Sequence, residues 1–271
     1  MNEENLESNV VAYQNSFPTI FQCGHNAILS ATDGKEYIDF FAGAGALNFG
    51  HNQPETKEKV IEYLKNDLNK WLKELRKICD EFGIMMIIDD IQVGVWRTGT
   101  FFSFEEAEIV PDIVIISKSI EGIGMPLSLV FFNEALDVFN PEEHTGTFRG
   151  NQLGFIAGQA AIEYAYENNL AEQTKENEQV IQKVLEKKLP EIDNRISFRG
   201  KGMIWGIDFL AISESLAEKV QKECFNQHLI IECAGSKDAV LKLLPPLTIE
   251  KENLSRGLEI IIQAIYTVLN K

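Results

Sequence analysis

The sequence has few cysteines and histidines, and they are not spaced as metal ligands. The 271 residues include four cysteines and four histidines. No two cysteines form a CxxC pair, and the histidines form no HxxxH pattern. Because protein zinc sites are built from such pairs, the sequence predicts no metal site. Cys79 and Cys224 fall on apolar helical faces, so we expect both to be core thiols.

Positive charge is also scarce. Lys and Arg number 25 against 41 Asp and Glu, which gives a net charge of −16 and a pI of 4.7. This balance argues against nucleic acid and anionic membrane surfaces as partners. The first ten residues lack a signal pattern, and no apolar run reaches the length of a membrane span. We therefore expect a cytoplasmic protein that acts on small molecules.

Three apolar runs without alternation stand in the first half of the chain: IMMIIDD (84–90), DIVIISK (112–118) and LSLVFF (127–132). Such runs favour strands that are covered on both faces of an α/β sheet. Ligands bind at the carboxyl ends of strands in these sheets. Asp89, Asp90 and Lys118 are expected at such ends.

Helical and turn patterns surround these runs. Asp33-Gly34 predicts a hairpin turn within residues 27–41, and Pro54 opens a helix. Apolar residues at spacings of three and four predict a helix over 68–82 that Gly83 ends. Two long helices are expected over 151–188. Short strands, a helix near 214–227 and a final helix follow, which favours a second, smaller α+β domain.

Lys118 and Asp89 are the candidate catalytic and cofactor-binding residues. A lysine at the end of a covered strand would be partly desolvated, which lowers its pKa and frees the amine to attack an aldehyde. The alternative is a lysine that points into solvent. A buried Asp89 could keep the ring nitrogen of pyridoxal phosphate protonated. The alternative for Asp89 is a helix N-cap or a salt bridge.

The ordered motifs around these residues resemble one family. IIDDIQVGVWRTGTFF, PDIVIISKSIEGIGMPLSLV and HTGTFRGNQLGF are similar to three successive motifs of class III (ornithine/GABA-type) aminotransferases. The variants DDIQ, SKSI and HTGTFRGN resemble the members that act on diaminobutyrate and 2-oxoglutarate. YIDFFAGAGALNFGHN near the amino terminus, and RGKGMIWGIDF and LLPPLTI near the carboxyl terminus, resemble the same members.

The resemblance implies a pyridoxal 5'-phosphate cofactor and a role for each matching residue. Lys118 would bind the cofactor covalently and shuttle the proton. Asp89 would pair with the ring nitrogen, and Gln92 would hydrogen-bond the ring hydroxyl. Thr147 would reach the cofactor phosphate of a neighbouring subunit, which implies a homodimer or a higher homo-oligomer. Lys242 falls where several relatives carry a carboxylate-binding arginine.

The resemblance also implies a fold, which is α/β. It is a remnant of the large domain of fold type I of the pyridoxal-phosphate-dependent transferases, with a mostly parallel sheet, plus a smaller α+β domain. Residues 1–50 would be the N-terminal segment of the small domain. Residues 51–150 would form a truncated cofactor-binding domain. Residues 151–271 would supply linking helices and the C-terminal small domain.

A large internal segment is missing relative to the resembled family, at the helical seam near Lys65 to Lys70. It would include a Gly/Thr turn that binds the cofactor phosphate, an aromatic-His pair that stacks on the ring, and a glutamate-bearing segment. Its strands would also be lost, which predicts an exposed sheet edge or a gap. In addition, Trp96 stands where the family has glycine. At a positive φ it would strain the turn, or it could fill space that the absent segment left.

Three hypotheses follow for function. The first is transfer of the 4-amino group between L-2,4-diaminobutyrate and 2-oxoglutarate. Another terminal diamine stays possible, since one methylene is worth only about 1–3 kcal/mol in a pocket. The second is a non-catalytic homologue that acts as a partner subunit of a full-length relative and donates Thr147. The third is a truncated gene product.

Overall fold

The computed structural model describes residues 19–40, 49–55, 68–147 and 149–270. Contacts divide the chain into two compact units, Met1–Trp71 and Leu72–Lys271. The predicted helix that Pro54 opens lies mostly outside the described residues, as does most of the glycine-rich loop 41–52. The domain boundaries inferred from the family resemblance stay a prediction.

The first unit contains a three-stranded antiparallel sheet in the order β1-β2-β3. Its strands are Phe21–His25 (β1), Ile28–Ala31 (β2) and Glu36–Ile38 (β3). The predicted hairpin is confirmed. Gly34 has a φ of 82°, and Asp33 Oδ1 accepts from the N–H of Lys35 at 3.1 Å. The small Asp-Gly pair suits this turn because glycine adopts positive φ at low cost.

The second unit begins its sheet after helix α1, Leu68–Phe82. The strands are Ile87–Asp89 (β4), Ile113–Ile116 (β5) and Leu129–Phe132 (β6), in the order β4-β5-β6. β4 and β5 are parallel, and β5 and β6 are antiparallel. Gly83 ends α1 as predicted, with a φ of 64°. The N–H of Ile84 then donates to the carbonyl of Cys79 at 2.8 Å.

Only one face of this sheet is packed in the described part of the chain. Val114 and Ile116 are buried against Trp96, Phe104 and Ile120. The opposite face carries apolar residues that solvent reaches, with Ile87 57%, Val130 55% and Phe132 44% exposed. The expectation of strands covered on both faces is therefore wrong here. The pleat points alternate side chains outward, and no described element packs on that side.

The C-terminal part is an α+β arrangement, as predicted. Its helices are Gln152–Glu167 (α2), Leu170–Ile192 (α3), Leu216–Asn226 (α4) and Lys251–Leu269 (α5). Its strands are Ser197–Lys201 (β7), Ile204–Asp208 (β8), Glu232–Ala234 (β9) and Val240–Leu243 (β10). They form an antiparallel sheet in the order β7-β8-β10-β9.

Side chains of α3, α4 and α5 bury one face of this sheet. Ile181, Ile207, Leu241 and Ile265 are fully inaccessible. Cys224 belongs to the same core, and Cys79 is buried in α1, so both predicted core thiols are confirmed. Across the described ranges, no helix combines the length and apolar character that a bilayer crossing requires.

Candidate active site

The parallel pairing of β4 and β5 places two predicted site residues at neighbouring strand ends. Asp89 is the last residue of β4 and lies opposite Ile115 of β5. The N–H of Asp90 extends the pairing with a 2.8 Å bond to the carbonyl of Ile115. Lys118 follows just after the end of β5. Because parallel strands end at one edge, Asp89 and Lys118 share that edge.

Lys118 opens a 3-10 turn, Lys118–Glu121, with a backbone φ of 52°. This left-handed conformation costs a non-glycine residue about 1–2 kcal/mol. The flanking chain is fixed on both sides. Ser117 Oγ donates to the carbonyl of Leu127 at 2.8 Å, and Ile120 is buried. The turn therefore holds the Lys118 backbone in a strained but defined conformation.

The side chain of Lys118 is exposed, and its amine has no hydrogen bond or ion pair among the described residues. The expectation that covering elements would desolvate this lysine is therefore wrong for the described part of the chain. The cause is the same as for the open sheet face, since no described element covers the amine. Among the described residues, Lys118 therefore matches the alternative of a lysine that points into solvent.

Asp89 is also exposed, and one of its oxygens accepts the N–H of Ile91 at 3.0 Å. This bond closes a local turn rather than a helix N-cap, because no helix follows Asp89. Gln92 lies half-buried in the turn that follows. An amine and a carboxylate at neighbouring strand ends nevertheless fit the two contacts that pyridoxal phosphate needs, one with its aldehyde carbon and one with its ring nitrogen.

Asp90 is the carboxylate that this edge buries. Its side chain is 1% exposed, and Oδ2 accepts the N–H of Ser103 at 3.0 Å. Burial raises the pKa of Asp90 above its usual value. A Cβ on Gly94 would lie 2.7 Å from Asp90 Oδ2, so glycine is required at that position. The period of two along β4 could have revealed this, since Asp90 follows the inward parity of Ile88.

Trp96 occupies a strained turn and is packed as well. Val95 and Trp96 have φ values of 56° and 62°. The turn closes through a 2.9 Å bond from the N–H of Trp96 to the carbonyl of Thr100. The buried Trp96 ring meets Phe101 and Tyr166 edge-on, with centroids 5.0 and 5.6 Å apart. The positive φ that the sequence offered as one alternative is therefore present, and the ring is packed as well.

Arg97 is a buried cation that the sequence patterns did not single out. Its Nη1 donates to the carbonyls of Met203 at 3.2 Å and Pro245 at 2.5 Å. Nε is buried without a hydrogen-bond partner. Burial lowers the pKa of Arg97 to about 10. In the sequence, only its position in the Arg-Thr-Gly motif could have drawn attention to Arg97. Its two bonds join the motif to the start of β8 and the end of β10.

Thr147 and Lys242 lie elsewhere. Thr147 is on an exposed loop in which Arg149 Nη1 donates to the carbonyl of His144 at 2.9 Å. No hydrogen bond in the described part of the chain joins Thr147 to Lys118. Lys242 is on β10 of the other sheet, and its Nζ is 2.6 Å from Glu232 Oε1. A carboxylate that binds Lys242 must therefore compete with Glu232. The roles assigned to the five predicted site residues stay predictions.

Known proteins resemble this chain over nearly its whole length. The model of the family Aminotransferase class-III matches residues 64–265. The chain is 32% identical to the diaminobutyrate–2-oxoglutarate transaminase of Wolinella succinogenes, with 99% of this chain and 96% of that relative covered. It is 30% identical to the enzyme of the same name from Halalkalibacterium halodurans, with 97% and 95% covered.

The alignment with the Wolinella protein also bears on the missing segment. It extends over 416 positions, whereas this chain has 271 residues, so at least 145 aligned positions contain no residue of this chain. Because the alignment covers both proteins almost from end to end, the absent positions lie inside it. This confirms the predicted loss of a large internal segment.

Solved structures show the same fold. Ornithine aminotransferase from Plasmodium yoelii matches with a TM-score of 0.62 and 18% identity, over 93% of this chain and 94% of that chain. An S-selective transaminase from Bacillus megaterium matches with a TM-score of 0.68 and 19% identity, over 74% of this chain. The chain spans about half of that longer enzyme, with 47% covered. These matches confirm the predicted fold class, and the chain belongs to the class III aminotransferase family.

Proposed function

We propose that this chain transfers the 4-amino group between L-2,4-diaminobutyrate and 2-oxoglutarate, with pyridoxal 5'-phosphate as its cofactor. The observation that carries this proposal is the common edge of the parallel strands β4 and β5. Asp89 is the last residue of β4, and Lys118 comes just after the end of β5. The names of the relatives support the choice of substrates.

Lys118, Asp89 and Gln92 would act on the cofactor at this edge, and Thr147 and Lys242 would act from other parts of the chain. Bound pyridoxal phosphate supplies an electron sink for the reacting carbon. The Lys118 amine, which no described acidic group holds, attaches the cofactor and moves a proton at Nζ. The Asp89 carboxylate holds a proton at the ring nitrogen, and Gln92 donates to the ring hydroxyl. Thr147 contacts the cofactor phosphate of the other subunit in a dimer. Lys242 binds a substrate carboxylate after its ion pair with Glu232 breaks.

A titration with pyridoxal phosphate tests the proposal. The purified chain is titrated beside Lys118→Ala and Lys183→Ala, the latter a matched control at an exposed position of α3. The proposal expects a saturable long-wavelength absorbance band in the parent and in Lys183→Ala, and none in Lys118→Ala. Diaminobutyrate should bleach this band, and 2-oxoglutarate should restore it. A band that survives Lys118→Ala unchanged contradicts the proposal, because surface lysines would then explain it.

A second function is favoured by the open sheet face and the 145 or more absent alignment positions. In this alternative the chain is a non-catalytic partner of a full-length class III aminotransferase, to which it donates Thr147. Losing a phosphate-binding turn with three charge-assisted hydrogen bonds, each worth about 1.5–3 kcal/mol, would weaken cofactor binding by three orders of magnitude or more.

Co-expression separates the two functions. The chain is produced with a full-length homologue, and the mixture is compared with a Thr147→Ala variant of this chain. The partner function expects a mixed dimer whose activity falls in the Thr147→Ala variant, while the chain alone transfers no amino group. Turnover by the isolated chain excludes the partner function.

A further inference from the structure

A cavity of about 560 Å³ lies within the second unit, next to the turn that carries Lys118. Its walls include Trp96, Ala160 and Leu247, while Arg97, Ser119 and Glu121 supply polar groups. The volume falls within the roughly 300–1,000 Å³ that small-molecule sites occupy. Neither Lys118 nor Asp89 lines it. The cavity is thus separate from the edge of β4 and β5.

Arg97 is the group in this cavity whose bonding is incomplete. It is 9% exposed, and its guanidinium forms no ion pair with any described acidic group. Nη1 has two carbonyl partners, but the N–H at Nε has none. A buried charge without a counter-ion and a buried donor without an acceptor are both costly. A negatively charged group in the cavity would supply the counter-ion that the guanidinium lacks.

The other walls narrow the chemistry of such a ligand. Trp96 and Leu247 offer apolar surface, so the ligand needs an apolar body as well as its charged group. Glu121 does not answer the charge of Arg97, because its Oε2 accepts the N–H groups of Ile123 at 2.8 Å and Gly124 at 2.6 Å. The Glu121 carboxylate would also repel a second negative group, so the negative group of the ligand must lie at the Arg97 end.

We propose that this cavity binds a small monocarboxylate with an apolar body, whose carboxylate accepts from Arg97. The strained residues Val95 and Trp96 immediately precede Arg97 in sequence, and strained backbone concentrates at ligand sites. The ligand would also contact Ser119, which lines the cavity beside Lys118 in sequence. The site is independent of the proposed aminotransferase function.

Calorimetric titration with 3-phenylpropionate tests this proposal, with the neutral 3-phenylpropionamide as the isostere. One saturable site is expected for the acid, and the amide should bind about tenfold to a hundredfold more weakly because it lacks the charge-assisted bond. Lys118→Ala should bind the acid as the parent does. This result separates the cavity from the proposed cofactor site.

Two further variants localise the site. Ala160→Phe fills the cavity from an exposed position of α2, whereas Glu167→Phe adds the same bulk to α2 at an exposed position outside the cavity lining. Ala160→Phe should lose binding, and Glu167→Phe should keep it. Arg97→Gln should weaken binding of the acid at least about tenfold. If the Arg97→Gln protein does not fold, the comparison of Ala160→Phe with Glu167→Phe still shows whether the acid binds in this cavity. No saturable binding by the parent, equal binding of acid and amide, or equal behaviour of the phenylalanine variants overturns the proposal.

Discussion

Replacing Trp96 with glycine, the residue that the family resemblance places there, sets two structural effects against each other. Trp96 has a φ of 62°, so glycine should relieve the strain of a left-handed side-chain-bearing residue, about 1–2 kcal/mol. However, the ring is 6% exposed and meets Phe101 and Tyr166 edge-on. Removing a buried tryptophan side chain costs about 3–5 kcal/mol. The packing loss is larger, so we expect Trp96→Gly to reduce the free energy of unfolding by about 1–4 kcal/mol.

Trp96→Ala separates the two effects, because it loses the same packing and keeps the strain. Alanine usually exceeds glycine in stability by about 0.5–1 kcal/mol. At a positive φ the order should invert, so Trp96→Gly should be the more stable of the two variants. Ala160→Gly, at an exposed position of α2, supplies the reference pair and should show the usual order.

Urea unfolding followed by far-ultraviolet circular dichroism measures these differences, since tryptophan fluorescence changes with the substitution itself. A Trp96→Gly variant as stable as the parent would refute the packing argument. Trp96→Ala more stable than Trp96→Gly would refute the assignment of strain to this turn.

Three other measurements address the described contacts. Asp112→Asn should lower stability by about 1 kcal/mol at neutral pH, because Arg76, 2.6 Å away, lowers the pKa of Asp112, and this partly exposed pair is screened by solvent. A carboxyl group whose pKa is lowered on folding adds stability above its unfolded pKa of 3.8, and this stability is lost as the pH falls through the folded pKa. The urea midpoints of variant and parent should therefore converge below that range. A difference between the midpoints that does not shrink would contradict the assignment. Gly122→Ala should lower the melting temperature more than Gly124→Ala does. Both glycines have a positive φ, but only a Cβ at position 122 would meet another side chain, Ala161 Cβ at 3.0 Å. Equal losses of melting temperature would show that backbone strain alone matters. In a thiol-labelling time course under native conditions, exposed Cys23 should react well before Cys224, whose pKa burial raises to about 11, and labelling of both at one rate would contradict the described core.

The sequence specified local structure wherever short-range chemistry decides it. The Asp33-Gly34 turn, the helix that Gly83 ends and the amphipathic final helix all follow from backbone preference and periodicity, and all three are present. The ordered motifs around Asp89 and Lys118 likewise indicated the family. The apolar runs before Asp89 and Lys118 placed both residues at strand ends, because a strand can be recognised from its own residues even when part of the domain is absent.

Tertiary structure alone decided which groups are buried. The sequence predicted covered strands and a desolvated Lys118, but the described sheet packs on one face and that lysine is exposed. Burial depends on elements distant in sequence, and continuous apolar runs cannot report that a covering segment is missing. For the same reason Arg97 emerged as a buried charge only in three dimensions, since the carbonyls that bind it come from Met203 and Pro245, far along the chain.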